Sequence, residues 1–235
     1  MLNIFNLSLR LNGFPIQEAK KKLDEILEIP ETEYENYVNQ KKKEIVNFHK
    51  ENNTFYRDLL GQITFEKWED LPIMKKSDFQ KPLIERLSKG FTDKNVYINK
   101  TSGSSGDPMV FAKDKFCHAL IWANIMRRFN WYGMDFNHSF QARFYGMPLD
   151  FIPNKILRVK DFMSNRFRMN IFDLSDAGLE KITTHFKNKK FDYINGYTNS
   201  IVLLAKYLKK KNSILKEICP TLKVCIVTSE MLFEE

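Results

Sequence analysis

Apolar residues recur at helical spacing through the N-terminal part of the chain. The clearest stripe consists of Tyr34, Tyr37, Val38, Ile45 and Phe48, separated by polar and basic residues. A repeat of three to four residues places such side chains on one face of an α-helix. The pattern therefore predicts a helical N-terminal region over residues 1–90.

The pattern changes near residue 95, where short apolar runs begin to alternate with helical stretches. The predicted strands are Val96–Ile98, Met109–Phe111, Ser139–Tyr145, Ile171–Leu174, Phe191–Ile194 and Leu222–Thr228. The predicted helices are Asp114–Tyr132, Ile156–Arg168, Ala177–Lys187 and Ser200–Lys211. Such alternation favours a parallel sheet covered by helices. The expected fold class is α/β: a helical N-terminal segment followed by a mostly parallel sheet in region 91–235.

The end of the chain bears on how much of that sheet is present. The sequence stops at Glu235, seven residues after the last predicted strand. A covering helix normally follows such a strand, so we expect an incomplete sheet.

Composition and charge narrow the functional classes. The chain has 235 residues, of which 43% are apolar and 28% charged, which is typical of a globular protein. Its net charge of +8 is spread over separated lysine clusters. This spread predicts a solvated basic surface and no specific nucleic-acid binding, with a basic nucleic-acid binder as a weaker alternative. We expect a cytoplasmic protein without a membrane span, because no apolar run approaches the required length.

Three cysteines, Cys117, Cys219 and Cys225, could in principle carry redox or metal chemistry. They form no C-x-x-C pair, and no histidine stands at zinc-ligand spacing. Neither a disulfide framework nor a zinc site is expected.

One loop has a composition suited to holding an anion. Between two predicted strands the chain reads Thr-Ser-Gly-Ser-Ser-Gly-Asp-Pro, from Thr101 to Pro108. Glycines allow close backbone approach, while hydroxyls and successive N–H groups can surround a phosphate. A Walker loop is excluded because Asp107 follows the second glycine where that motif needs lysine. A plain flexible connection remains the alternative.

The string T-S-G-S-S-G-x-P resembles the signature loop of the AMP-forming adenylate synthetases. The resemblance is closest to the branch of phenylacetate–coenzyme A ligases and capsular polysaccharide biosynthesis proteins. Three further segments are similar to that branch, in the same order. They are Leu71-Pro72-Ile73 with Lys76 to Phe79, Phe191 to Tyr197 with Ser200, and Leu222 to Glu230.

This resemblance implies an ATP-dependent ligase that forms an acyl-adenylate from a small carboxylic acid and a thioester with coenzyme A. The residues that would contact the ATP phosphates are Thr101, Ser102, Gly103, Ser104, Ser105 and Gly106. Ser229 and Glu230 would lie beside the adenosine of ATP or AMP. Tyr145, Gly146 and Tyr197 are candidates for the wall of the acyl pocket. No catalytic residue is assigned.

Two departures from the family pattern limit what the resemblance implies. Met109 follows the loop proline where many members have lysine. The family's Mg²⁺-binding glutamate, ribose-binding aspartate and catalytic lysine would lie mostly beyond residue 235. We therefore expect the N-terminal half of such an enzyme, inactive by itself. The alternative is a non-catalytic fragment that binds a nucleotide or a protein partner.

Overall fold

The computed structural model describes residues 3–62, 67–101, 108–146 and 151–233, without the side chains of 151–154. The chain divides into two compact units. One unit, here called the hairpin unit, is Gly13–Asn124. The other, called the sheet unit, combines Met1–Asn12 with Ile125–Glu235. The predicted boundary near residue 90 stays a prediction.

Ten α-helices and six strands lie in the described residues. The helices are α1 Ile4–Leu11, α2 Ile16–Leu27, α3 Glu31–Asn52, α4 Thr54–Leu60, α5 Lys76–Gln80, α6 Lys115–Asn130, α7 Phe151–Met163, α8 Asp176–Asn188, α9 Thr198–Lys210 and α10 Leu215–Ile218. The strands are β1 Val96–Lys100, β2 Val110–Asp114, β3 Gln141–Phe144, β4 Arg166–Arg168, β5 Tyr193–Tyr197 and β6 Val224–Thr228. None of these helices has both the length and the apolar character needed to cross a membrane.

The hairpin unit contains helices α2 to α5 and an antiparallel pair of strands. Val96 of β1 pairs with Asp114 of β2, and Lys100 pairs with Val110. The segment between Lys100 and Val110 includes the predicted phosphate loop. That loop is therefore the connection of a two-stranded hairpin.

The sheet unit is built on four parallel strands in the order β4-β3-β5-β6. In the register, Gln141 of β3 lies opposite Arg166 on one side and Tyr193 on the other. Tyr193 in turn pairs with Val224 of β6. The prediction of an α/β fold with a parallel sheet is confirmed.

The two faces of this sheet differ in chemistry because side chains alternate along each strand. Ala142, Phe144 and Ile194 point to one face, where they join Phe186 of α8 and Leu204 of α9 in a buried core. The opposite face carries alternate residues of the same strands. They are Gln141 and Arg143 on β3, Arg166 and Arg168 on β4, and Tyr193 and Asn195 on β5.

Two predicted elements beside the sheet are wrong. The predicted helix Ile156–Arg168 starts earlier and ends at Met163, after which Arg166–Arg168 forms β4. The predicted strand Ile171–Leu174 is a loop, in which the Asp173 carboxylate accepts hydrogen bonds from Ser175. That turn precedes α8, whose N-cap is Ser175.

Candidate functional site

The carboxyl ends of the parallel strands define one edge of the sheet unit. Tyr145 and Gly146 follow β3, Tyr197 ends β5, and Ser229 follows β6. Open parallel sheets bind ligands at this edge because helix N-termini and loops converge there. The structure thus places five sequence-predicted candidates, these four and Glu230, at the carboxyl ends of three adjacent strands.

The turn after β6 is held against the start of α9. Ser229 has a φ of 75°, in the left-handed region that non-glycine residues rarely adopt. The Glu230 carboxylate accepts hydrogen bonds from the backbone N–H of Asn199 at 2.7 Å and from its Nδ2 at 3.1 Å. The Thr198 hydroxyl donates to the carbonyl of Glu230 at 3.0 Å.

This arrangement explains the position of Glu230. The first N–H groups of a helix lack partners within the helix, and a carboxylate near that end is favoured. Glu230 therefore caps α9, and its side chain is already engaged.

The two tyrosines at the edge are in contact. The rings of Tyr145 and Tyr197 have centroids 4.9 Å apart. The Tyr145 hydroxyl donates to Oδ1 of Asn195 at 3.1 Å, and Nδ2 of Asn195 donates to the carbonyl of Ile226 at 3.3 Å. Burial raises the pKa of Tyr145, so the phenol is a neutral donor at physiological pH. The aromatic pair is thus fixed to both β5 and β6.

An ion pair fixes the turn after β3. Nε and Nη2 of Arg168 donate to the two carboxylate oxygens of Asp161 at 2.7 and 3.1 Å. Nη1 of Arg168 donates to the carbonyls of Tyr145 and Gly146 at 3.3 and 2.9 Å. The side chains of both charged residues are about nine-tenths buried. The pair orients the candidate residues Tyr145 and Gly146 through their backbone.

The sequence analysis missed these arginines. Arg143, Arg166 and Arg168 stand at alternating positions of two strands, a spacing of two that indicates one sheet face. The alternation in Arg-Phe-Arg at 166–168 was the available signal. It was hidden because the helical prediction extended through Arg168.

The predicted phosphate loop belongs to the hairpin unit. The backbone N–H of Thr101 donates to the carbonyl of Met109 at 3.0 Å, and the N–H of Met109 donates to the Thr101 hydroxyl at 2.9 Å. These two bonds close the base of the loop. The other loop candidates lie outside the described residues, and they are Ser102, Gly103, Ser104, Ser105 and Gly106.

No metal site is formed by the side chains that the structure describes. Among these residues there is no group of three or more histidine, cysteine, aspartate or glutamate side chains placed to hold an ion.

The fold is an α/β fold consistent with that of adenylate-forming enzymes. No family model matches the sequence, and no curated protein matches it. Solved structures of 2-hydroxyisobutyryl-CoA ligase, a member of the AMP-forming superfamily, do match the fold.

Two of these structures show the extent of the likeness. One, in complex with 2-HIB-AMP and CoA in the thioesterification state, is 15% identical with a TM-score of 0.55, over 85% of this chain and 44% of the ligase chain. The other, an open conformation in complex with 2-HIB-AMP and CoA, is 14% identical with a TM-score of 0.53, over 86% and 49%. This chain spans less than half the length of these ligases. At such identity the likeness shows the fold alone.

Proposed function

We propose that this chain is the nucleotide-binding part of an ATP-dependent ligase that activates a carboxylic acid as an acyl-adenylate and transfers it to coenzyme A. The observation that carries the proposal is the turn after β6. Ser229 takes a left-handed conformation there, and Glu230 caps α9, at the carboxyl edge of a parallel sheet. The fold shared with 2-hydroxyisobutyryl-CoA ligase, crystallised with an AMP adduct and CoA, supports the same interpretation.

In the proposal, hydroxyl and N–H groups of Thr101 to Gly106 donate to the ATP phosphates while the acid's carboxylate attacks the α-phosphorus; the bond from that phosphorus to the bridging oxygen breaks, and pyrophosphate leaves. Donors of this kind act by stabilising negative charge that increases in the transition state. The backbone of residues 228–230 receives the adenine, and Tyr145, Gly146 and Tyr197 line the acyl pocket.

We further propose the phenylacetate–coenzyme A ligase-like branch and a role in capsule or surface polysaccharide biosynthesis. The support is the order of the sequence segments at Leu71–Phe79, Phe191–Ser200 and Leu222–Glu230. A cytoplasmic location follows from this role. The pathway assignment is tested by measuring which carboxylic acids the protein binds, because different pathways provide different acid substrates.

The nucleotide proposal is tested at Gly106. We expect Gly106→Val to weaken AMP and ATP binding about 10- to 100-fold, since the added side chain obstructs phosphate approach and costs one or more charge-assisted hydrogen bonds. Isothermal titration calorimetry on the full chain measures this change. Thr92→Val, at an exposed position of the same unit, is the matched control and should bind as wild type does. Equal AMP and ATP affinity in wild type and Gly106→Val would show that the loop does not bind the nucleotide.

A further inference from the structure

Two arginines occupy paired positions in the sheet but have unequal partners. Arg143 of β3 lies directly opposite Arg168 of β4. Arg168 uses all of its guanidinium: Nε and Nη2 hold the Asp161 carboxylate, and Nη1 holds two backbone carbonyls. Arg168 therefore shows which acceptors satisfy the hydrogen-bond donors of a buried guanidinium on this sheet face.

Arg143 lacks the equivalent carboxylate. Its Nη1 donates to Oε1 of Gln141 at 3.2 Å, and its guanidinium lies 4.2 Å from the centre of the Tyr145 ring. Its Nε is buried and has no hydrogen-bond partner among the described residues. Arg168 binds Asp161 through the edge formed by its Nε and Nη2. The same edge of Arg143 is hydrogen-bonded to no carboxylate in the described part of the chain.

The charge on this face is also unbalanced. Among the residues that the structure describes, the carboxylate acting on Arg143 and Arg166 is that of Asp161, which Arg168 already binds. The Nε of Arg166 is likewise buried without a partner among the described residues. Burial, followed by repulsion from Arg166 and Arg168, lowers the pKa of Arg143 to about 10, with smaller opposing effects of Tyr145 and Asp161. Arg143 remains charged at neutral pH, so the face holds buried positive charge without an equal negative charge.

The location links this charge to the acyl pocket. Arg143 stands two residues before Tyr145, and its guanidinium lies against the Tyr145 ring, which in turn contacts Tyr197 at the carboxyl edge. A ligand seated at this edge with its reacting carboxylate outward would direct its other end toward Arg143. The planar edge of a guanidinium fits a carboxylate in two parallel hydrogen bonds.

We propose that Arg143 is a specificity-determining residue that binds a second carboxylate on the acid substrate. The substrate class is then a dicarboxylic acid, or an acid that carries an equivalent anionic group at its far end. This inference rests on the proposed function, since it names the substrate of the same site. It assigns no bond-making role to Arg143, which positions the acid.

The test is the preference of the full chain for dicarboxylates. Isothermal titration calorimetry would compare α,ω-dicarboxylates from malonate to adipate with monocarboxylates of the same length. We expect at least one dicarboxylate to bind about 10- to 100-fold more tightly than its monocarboxylate, as two charge-assisted hydrogen bonds predict. Arg143→Gln should abolish this preference, and Arg143→Lys should retain only part of it. Arg10→Gln, at an exposed arginine of the same unit, should leave it unchanged.

A second readout follows the wild-type chain, and a variant, the conservative Arg143→Lys, is needed only for the assignment. The NMR resonance of the Arg143 Nε–Hε group, assigned by its loss in Arg143→Lys, should move downfield when the preferred dicarboxylate is added. Binding of all dicarboxylates no tighter than the monocarboxylates, or no movement of this resonance at saturation, would overturn the proposal.

Separate titrations with AMP and pyrophosphate distinguish a phosphate from a carboxylate at Arg143. If Arg143→Gln lowers AMP or pyrophosphate affinity and leaves dicarboxylate binding unchanged, Arg143 binds a phosphate and the proposed substrate class is wrong. If wild type binds no AMP but keeps an Arg143-dependent dicarboxylate preference, the proposed function fails and the carboxylate site stands.

Discussion

The sheet unit and the hairpin unit differ in how they bury apolar surface. The sheet unit has a continuous core of large side chains, among them Phe144, Phe186, Phe191 and Leu204. In the hairpin unit the buried apolar residues are fewer and smaller, and they are Ile16, Ala19, Val46, Leu60, Ala119 and Ala123. Because buried apolar area is the main source of stability, the sheet unit should be the more stable of the two.

The two units also differ in how they hold their candidate ligand-binding residues. In the sheet unit the candidates at the carboxyl edge are fixed by strand register, by the Arg168–Asp161 pair and by the Glu230 cap. In the hairpin unit the predicted phosphate loop is closed at its base by the Thr101–Met109 hydrogen bonds. Binding residues often lie on loops that a rigid scaffold positions. Here the sheet edge is the scaffold, and the hairpin connection is such a loop. Changes in the first should affect stability, and changes in the second should affect binding.

The largest expected effect is on the core of the sheet unit. Phe186 is 1% exposed, and Phe186→Ala should lower the free energy of unfolding by about 3–5 kcal/mol through lost burial and a residual cavity. Phe48 of the hairpin unit is 38% exposed, and Phe48→Ala should cost less than about 1 kcal/mol. Urea unfolding followed by circular dichroism measures both. Equal losses of unfolding free energy in the two variants would contradict the expected difference in packing between the two units.

A smaller effect is expected where Gly196 of β5 lies opposite Phe144 of β3. A Cβ on Gly196 would overlap Phe144, including its backbone carbonyl, whereas a Cβ on Gly146 would stand 3.7 Å from the Phe172 ring. Gly196→Ala should therefore cost about 1–3 kcal/mol by overpacking. Gly146→Ala should be close to neutral in the same unfolding experiment. A neutral Gly196→Ala would mean that the sheet spacing at this edge is looser than described.

The smallest of these effects concerns the cap of α9. Glu230→Ala removes the carboxylate that accepts from the Asn199 N–H, and the loss should be about 1 kcal/mol. Glu230→Gln, which keeps an acceptor oxygen, should cost less. Amide hydrogen exchange of Asn199 locates the effect. Unchanged exchange at Asn199 in Glu230→Ala would contradict the assignment of Glu230 as a cap.

Local patterns were sufficient to predict much of the fold. The alternation of apolar runs and helical stretches correctly predicted the α/β class, since β3, β5 and β6 overlap predicted strands. Helix α8 begins at Asp176, one residue before the predicted start at Ala177. These features depend on residues close together in sequence, which is why periodicity and capping rules find them.

What the sequence did not predict depends on contacts between distant segments. β4 is only three residues long, and it is a strand because it pairs with Arg143 and its neighbours on β3. The Arg168–Asp161 pair and the buried Nε of Arg143, which has no hydrogen-bond partner among the described residues, follow from that register. Likewise, the engagement of Glu230 by α9 joins residues 31 positions apart. No local rule assigns such partners.

The proposed function requires this chain to bind an adenine nucleotide, with contacts at the turn after β6 and at the loop after β1. Two-dimensional ¹⁵N–¹H NMR of the full chain, titrated with AMP, tests it most directly. We predict saturable shifts at the amides of residues 228–230, in the first turn of α9 and in residues 101–106. The absence of saturable shifts, or shifts confined to helices such as α3 and α4, would contradict the claim.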